Sequence, residues 1–149
     1  YSDITTLSLS GGGTFAVYVR VPAWYKQGFI VKINGKQQSV KASPGTYLNL
    51  GQTWKAGDTI ELTMSMNFHL VSVMDQPNIA SIFYGPILLA AEEPTSRTTW
   101  RKVTLDADDL SKSFTGDPGT LRFGTNGVNL KPFYEIYSRH SVYLDITLE

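Results

Sequence analysis

"SIFYGPILLAAEE", residues 81–93, is the most apolar stretch of the chain. Its centre holds Gly85-Pro86, and a proline inside a helix removes a hydrogen bond and clashes with the preceding turn. A regular helix is therefore excluded across that point. The run is also far short of the ~20 residues that a membrane helix needs. What remains is strand. The reading is one strand from about Ile79 to Tyr84, then a bulge or kink at Gly85-Pro86, where a proline is tolerated. A second strand runs from Ile87 to Ala91, and the kink is a place where the chain could change sheets. Residues 79–91 are apolar on both sides, which suits a strand covered on both faces. Tyr84 then reads as a core or interface aromatic, not as a proton donor to a substrate.

The flanking sequence has the same character with one dry face. Apolar and polar residues alternate with period two in several short runs. Phe15, Val17, Val19 and Val21 alternate in "TFAVYVRV", and Phe29, Val31 and Ile33 share a face in "FIVKINGK". Ile60, Leu62, Met64 and Met66 do so in "TIELTMSM", and Val142, Leu144, Ile146 and Leu148 in "SVYLDITL". "TTLSLS" is a shorter version with Leu7 and Leu9. Gly11-Gly12-Gly13, Pro44-Gly45, Gly57-Asp58 and Asn126-Gly127 punctuate these runs as turns. No window keeps a helical period; a single capped turn fits residues 106–112. Short strands with frequent turns predict an all-β fold, an antiparallel, jelly-roll-like β-sandwich with little or no helix.

The chain has 149 residues, of which 42% are hydrophobic and 17% charged. That length suits one compact unit over residues 1–149, with 1–92 as the main sandwich and the glycine- and proline-rich 93–149 as a looser part. Thirteen basic and thirteen acidic side chains balance. This charge pattern gives no ground for nucleic acid or an anionic membrane as partner. The absence of cysteine excludes a disulfide framework, a thiolate zinc site and a cysteine nucleophile within this chain. The chain opens on Tyr1 without a signal peptide, so it reads as a fragment or excised domain of a larger multidomain protein.

Candidate chemistry is sparse. Glycoside hydrolysis needs two facing carboxyl groups, about 5–5.5 Å or 6.5–9.5 Å apart. Glu61 alternates outward, and the adjacent Glu92 and Glu93 would point to opposite faces of a strand. His69 and His140 have no second His or Cys at ligand spacing, so a structural role is preferred over a metal site. Asp106, Asp108 and Asp109 offer oxygen ligands of the kind calcium takes. The run lacks the glycine and closing glutamate of an EF-hand, and a capped turn is the preferred reading. No cofactor is expected. Trp24, Tyr25, Trp54 and Trp100 fall at turns or loops, where exposed rings could hold sugar rings. For Trp24 and Trp54 the preferred reading is that they close the ends of the sandwich. Trp100 is the best candidate for an exposed surface.

The ordered series of motifs carries a resemblance. "FAVYVRVPAW" (15–24) contains Arg20, Pro22 and Trp24, and "VKINGK" (31–36) contains Asn34 and Gly35. A Trp-Lys-x-Gly-Asp turn follows at Trp54, Lys55, Gly57 and Asp58, then Tyr84-Gly85-Pro86. The last element is "LKPFYEIYSRHSVYL" (130–144). This order resembles the C-terminal β-sandwich region of glycoside hydrolase family 127, the β-L-arabinofuranosidase-like proteins, in their Bacteroidetes-like form. Arg139 and Tyr143 fit the closing motif; His140 and Leu144 depart from it. The resemblance implies that catalysis belongs to an upstream α-helical barrel using glutamate, cysteine and zinc. No catalytic residue carries over to this chain.

The expectation is thus a non-catalytic accessory sandwich that packs on and supports the catalytic barrel of its parent chain. By the same resemblance the parent protein is secreted or periplasmic. The alternative is a carbohydrate-binding module that holds an oligosaccharide of plant type through exposed aromatics. An independent hydrolase ranks last, because it needs a convergent carboxylate pair.

Overall fold

The computed structural model describes residues 3–149; Tyr1, on which the reading as a fragment rests, lies outside the described residues. The chain is all-β, with two short 3-10 turns at Leu110–Ser113 and Phe133–Glu135. It forms two compact units that divide between Met66 and Asn67. The expected division near residue 92 is therefore misplaced. The cause is pairing: the strand that ends at Glu92 hydrogen-bonds to strands from the 93–149 part and cannot belong to a separate body.

The first unit is a small sandwich. One sheet has the order β1-β6-β3-β4, from Ile4–Ser8 (β1), Phe29–Ile33 (β3), Lys36–Gln37 (β4) and Thr59–Met64 (β6). The other is the ribbon of Gly13–Arg20 (β2) and Tyr47–Trp54 (β5). Their inner faces meet in a core of Val19, Val21, Phe29, Val31, Leu50, Trp54, Ile60 and Leu62. These are the period-two positions, so alternation alone aims them inward. Phe15 on β2, 42% exposed, and β1 are exceptions. Leu9 packs against the core, but Leu7 stays exposed on an edge strand.

Two motifs lock this unit. Asn34 and Gly35 both take positive φ, +50° and +76°, the pair that a two-residue type I′ hairpin requires. The Asn34 amide then reaches across to the Gly57-Asp58 turn. Its Nδ2 donates to Asp58 Oδ1 at 2.9 Å, and its Oδ1 accepts from Thr59 N at 2.9 Å. Asp58 Oδ2 accepts from Lys55 N at 2.8 Å. The two turns share one hydrogen-bond network.

The second unit is built on one large sheet with the path β10-β15-β8-β9-β13-β12-β11. Its strands are Phe68–Val73 (β7), Gln76–Tyr84 (β8), Ile87–Glu92 (β9), Arg101–Leu105 (β10) and Thr115–Asp117 (β11). Arg122–Thr125 (β12), Val128–Pro132 (β13), His140–Ser141 (β14) and Leu144–Leu148 (β15) complete it. β7 pairs along one edge of β8, whose other edge is divided between β9 and β15. Ile79, Ala80, Ser81 and Ile82 are all buried, as are Ala90 and Ala91. The double-faced burial of 79–91 is what its continuous apolar run requires.

Gly85-Pro86 is not a kink within one strand but the turn of a hairpin. β8 and β9 are antiparallel neighbours, with Tyr84 opposite Ile87 and Ile82 opposite Leu89. Gly85 takes φ +56°. A positive φ at the first turn residue followed by proline's fixed negative φ is the type II′ combination that matches strand twist. The chain therefore does not change sheets there. A second departure is β10 against β15, a parallel pair in an otherwise antiparallel fold.

Candidate functional site

The sequence-nominated aromatics do not converge. Trp54 is 1% exposed and its Nε1 donates to Phe15 O at 3.0 Å. It is core, and cannot offer a face to a sugar. Tyr25 is half-buried, with its ring edge-on to Phe29 at 5.6 Å and its hydroxyl accepting from Phe29 N at 3.1 Å. Trp24 lies half-buried in the neighbouring turn that follows Pro22. Arg20 is exposed and sits over the Tyr47 ring, 5.5 Å from its centroid. Trp100 alone among the four is half-exposed at the surface, and it belongs to the second unit.

The other candidates are spent on structure. Asp106 Oδ1 accepts from the amides of Asp108 and Asp109, and Asp109 Oδ1 accepts from Ser111 N and Oγ. These carboxylates cap the 3-10 turn. Among the described residues no group of three or more His, Asp or Glu side chains is arranged to hold a metal ion. His69 stacks on Phe83 of the paired strand at 5.2 Å, and His140 Nδ1 donates to Ser138 O at 2.7 Å. Glu61 and Glu92 face Lys32 and Lys131 at 2.6 and 2.5 Å. Tyr84 packs on Phe68 and Phe123, with centroids at 4.9 and 5.1 Å.

A cleft of about 660 Å³ opens in the second unit around Trp100. Arg97, Thr98, Thr99, Trp100, Lys102, Ser141 and Asp145 line it. The residues come from the loop between β9 and β10, from β10 itself, from β14 and from β15. Trp100 precedes β10, so Trp100 and Lys102 face one way while Arg101 faces the other. Tyr143 holds the indole edge-on, 6.4 Å between centroids and 77° between planes. Asp145 lies opposite Lys102 in register but receives its hydrogen bond from Asn78 Nδ2 at 2.7 Å.

Beneath the cleft lies a feature that the sequence reading missed. Glu93 is 6% exposed, not a solvated acid. Arg101 grips it with two hydrogen bonds, Nε to Oε1 at 2.8 Å and Nη2 to Oε2. Ser141 Oγ donates to Oε1 at 3.0 Å, and Arg97 Nη1 lies 3.7 Å from Oε2. The amide of Glu93 donates to the carbonyl of Arg139. Burial alone would raise this carboxyl's pKa, but the Arg101 hydrogen bonds outweigh it, with help from Ser141, and hold it below the usual glutamate value. Arg101 is correspondingly pushed up by Glu93. A carboxylate so fixed in its charged form is a clamp, not a general acid. The signal in the sequence was Arg97 and Arg101 at +4 and +8 from Glu93.

Residues 3–66 match the family model "Beta-L-arabinofuranosidase, GH127 middle domain", which covers the first unit. That match agrees with the motif resemblance to glycoside hydrolase family 127 over residues 3–66, under a description that reads middle domain. A search of curated proteins finds no match. Among solved structures, a glycoside hydrolase aligns at TM-score 0.73 and 18% identity, over 98% of this chain and 30% of that one. A GH127 β-L-arabinofuranosidase from Geobacillus stearothermophilus T6 aligns at 0.68 and 18%, over 98% and 29%. A GH127 β-arabinofuranosidase aligns at 0.66 and 21%, over 98% and 30%. These likenesses establish the fold of both units. The chain spans less than a third of the length of each of these structures.

Proposed function

We propose that this chain is a non-catalytic accessory region of a glycoside hydrolase resembling β-L-arabinofuranosidases, and that it packs on and supports a catalytic barrel of the same parent chain. The observation that carries this reading is the coverage: 98% of the chain aligns with under a third of each of two enzymes of that description. The chemistry of the acids supports it. Glu93, the one buried acid among the described residues, is committed to Arg101, and Glu61, Glu92 and Glu135 each face a cation. A run of exposed aromatics, Phe133, Tyr134, Tyr137 and Tyr143, also supports it. Tyr137 is 96% exposed, and exposed apolar groups in series mark interaction surfaces. A secreted or periplasmic setting goes with the reading.

The test uses the Geobacillus enzyme shortened by the segment that aligns with this chain. The expected result is a fall in melting temperature of about 10 °C or an insoluble product, as loss of a large apolar interface would cause. A shortened enzyme that keeps the melting temperature and turnover of the intact one would overturn the supporting role.

A further inference from the structure

We infer that the Trp100 cleft binds a sugar residue that carries a carboxylate. The supporting role neither requires nor forbids such a site. The volume, about 660 Å³, falls within the range of small-ligand pockets. Trp100, 50% exposed and in edge contact with Tyr143, offers aromatic surface of the kind that the apolar face of a pyranose ring packs on. Thr98, Thr99 and Ser141 supply hydroxyls around it.

The charge decides the class of sugar. Arg97, Arg101 and Lys102 stand against Glu93 and Asp145, three cations to two carboxylates, a surplus of one positive charge. Arg101 is consumed by Glu93. Arg97 touches Glu93 through Nη1 at 3.7 Å, with its side chain 35% exposed, and it lines the cleft. Lys102 stands opposite Asp145 in register without an ion pair between them, and Asn78 Nδ2 donates to one oxygen of that acid. A planar cation beside a point cation at the rim of an aromatic platform fits a carboxylate. Asp145 retains acceptor capacity for sugar hydroxyls.

Titration of the whole ¹⁵N-labelled chain with trigalacturonate, and separately with neutral maltotriose, tests this by NMR. The chain has three indole N–H signals, and loss of one in Trp100→Phe assigns Trp100. Trigalacturonate is expected to move the Trp100 signal with millimolar affinity. Maltotriose is expected to bind about fivefold more weakly, the share of an exposed ion pair. Trp100→Ala should weaken trigalacturonate about tenfold. Lys102→Gln should reduce the preference for the acidic sugar, with Arg97 left, while the other amide signals stay in place. No shift at ~10 mM, a level at which a millimolar site would be nearly filled, would overturn the proposal. Equal affinity for both sugars, or undiminished binding by Trp100→Ala, would do so as well.

Discussion

Glu93 and Arg101 form a two-pronged ion pair across the loop from β9 to β10, with Arg101 Nε 2.8 Å from Oε1. The pair fixes both ends of the loop that lines the cleft, and Ser141 joins β14 to it. Removing only the acid leaves a guanidinium largely out of water. Glu93→Ala is therefore expected to lower stability by about 3 kcal/mol, the order seen when one partner of a buried pair is lost. Calorimetry of the second unit's transition measures it.

The same pair gives a pH signature. Glu93 is held below the ordinary glutamate value by Arg101 first. Its contribution is complete above the unfolded pKa, near ~4.3, and is lost as pH falls through the lower folded value. Below ~4.3, wild type should lose stability more steeply with falling pH than Glu93→Gln, which has no proton to take up. Parallel curves for the two proteins across that window would contradict the assignment.

Asn34 ties two turns together, so its substitution should act on both. Asn34→Ala removes the bonds to Asp58 and Thr59 and puts at φ +50° a residue less tolerant of the left-handed region than asparagine. A loss of about 1–2 kcal/mol is expected. Asp58 is held below its usual value by the Lys55 amide and then by Asn34. NMR titration should show the Asp58 pKa rising in Asn34→Ala.

Gly116 sits in β11 at φ +129°, where an added Cβ would lie 2.1 Å from the Arg122 carbonyl oxygen. Gly116→Ala must move the backbone of one strand. Hydrogen exchange is expected to lose protection at β11 and β12, with about 1–3 kcal/mol lost locally. Protection unchanged from wild type would contradict the close approach.

Tyr84 fills space between Phe68 and Phe123 in the second core. Tyr84→Ala should cost about 3 kcal/mol, as large-to-small changes in packed cores do, whereas Tyr84→Phe keeps the ring and should cost about 1 kcal/mol or less. A comparable loss from both substitutions, read by urea unfolding, would assign the weight to the hydroxyl.

The strands were legible because period-two alternation is a local signal, and Asn34-Gly35 and Asn126-Gly127 mark hairpins by backbone conformation alone. In sequence Gly85-Pro86 reads as a bulge or kink, because proline in a strand points equally to a break and to a turn. Only the pairing of Tyr84 with Ile87 separates them. The division between units was not legible, because strands 76–92 and 101–148 share a sheet through partners distant in sequence. Burial of Glu93 was hidden for the same reason, since Ser141, 48 residues away, completes its shell. Trp54 and Trp100 both flank turns, and sequence position could not show that one ring faces the core and the other the cleft.

The central claim, that this chain supports glycoside hydrolysis without performing it, is tested most directly by assaying the purified 149-residue chain on p-nitrophenyl β-L-arabinofuranoside. The account predicts release of p-nitrophenol no faster than in buffer alone. Turnover above that rate, abolished by Glu93→Gln or Asp145→Asn in a protein that remains folded, would contradict it.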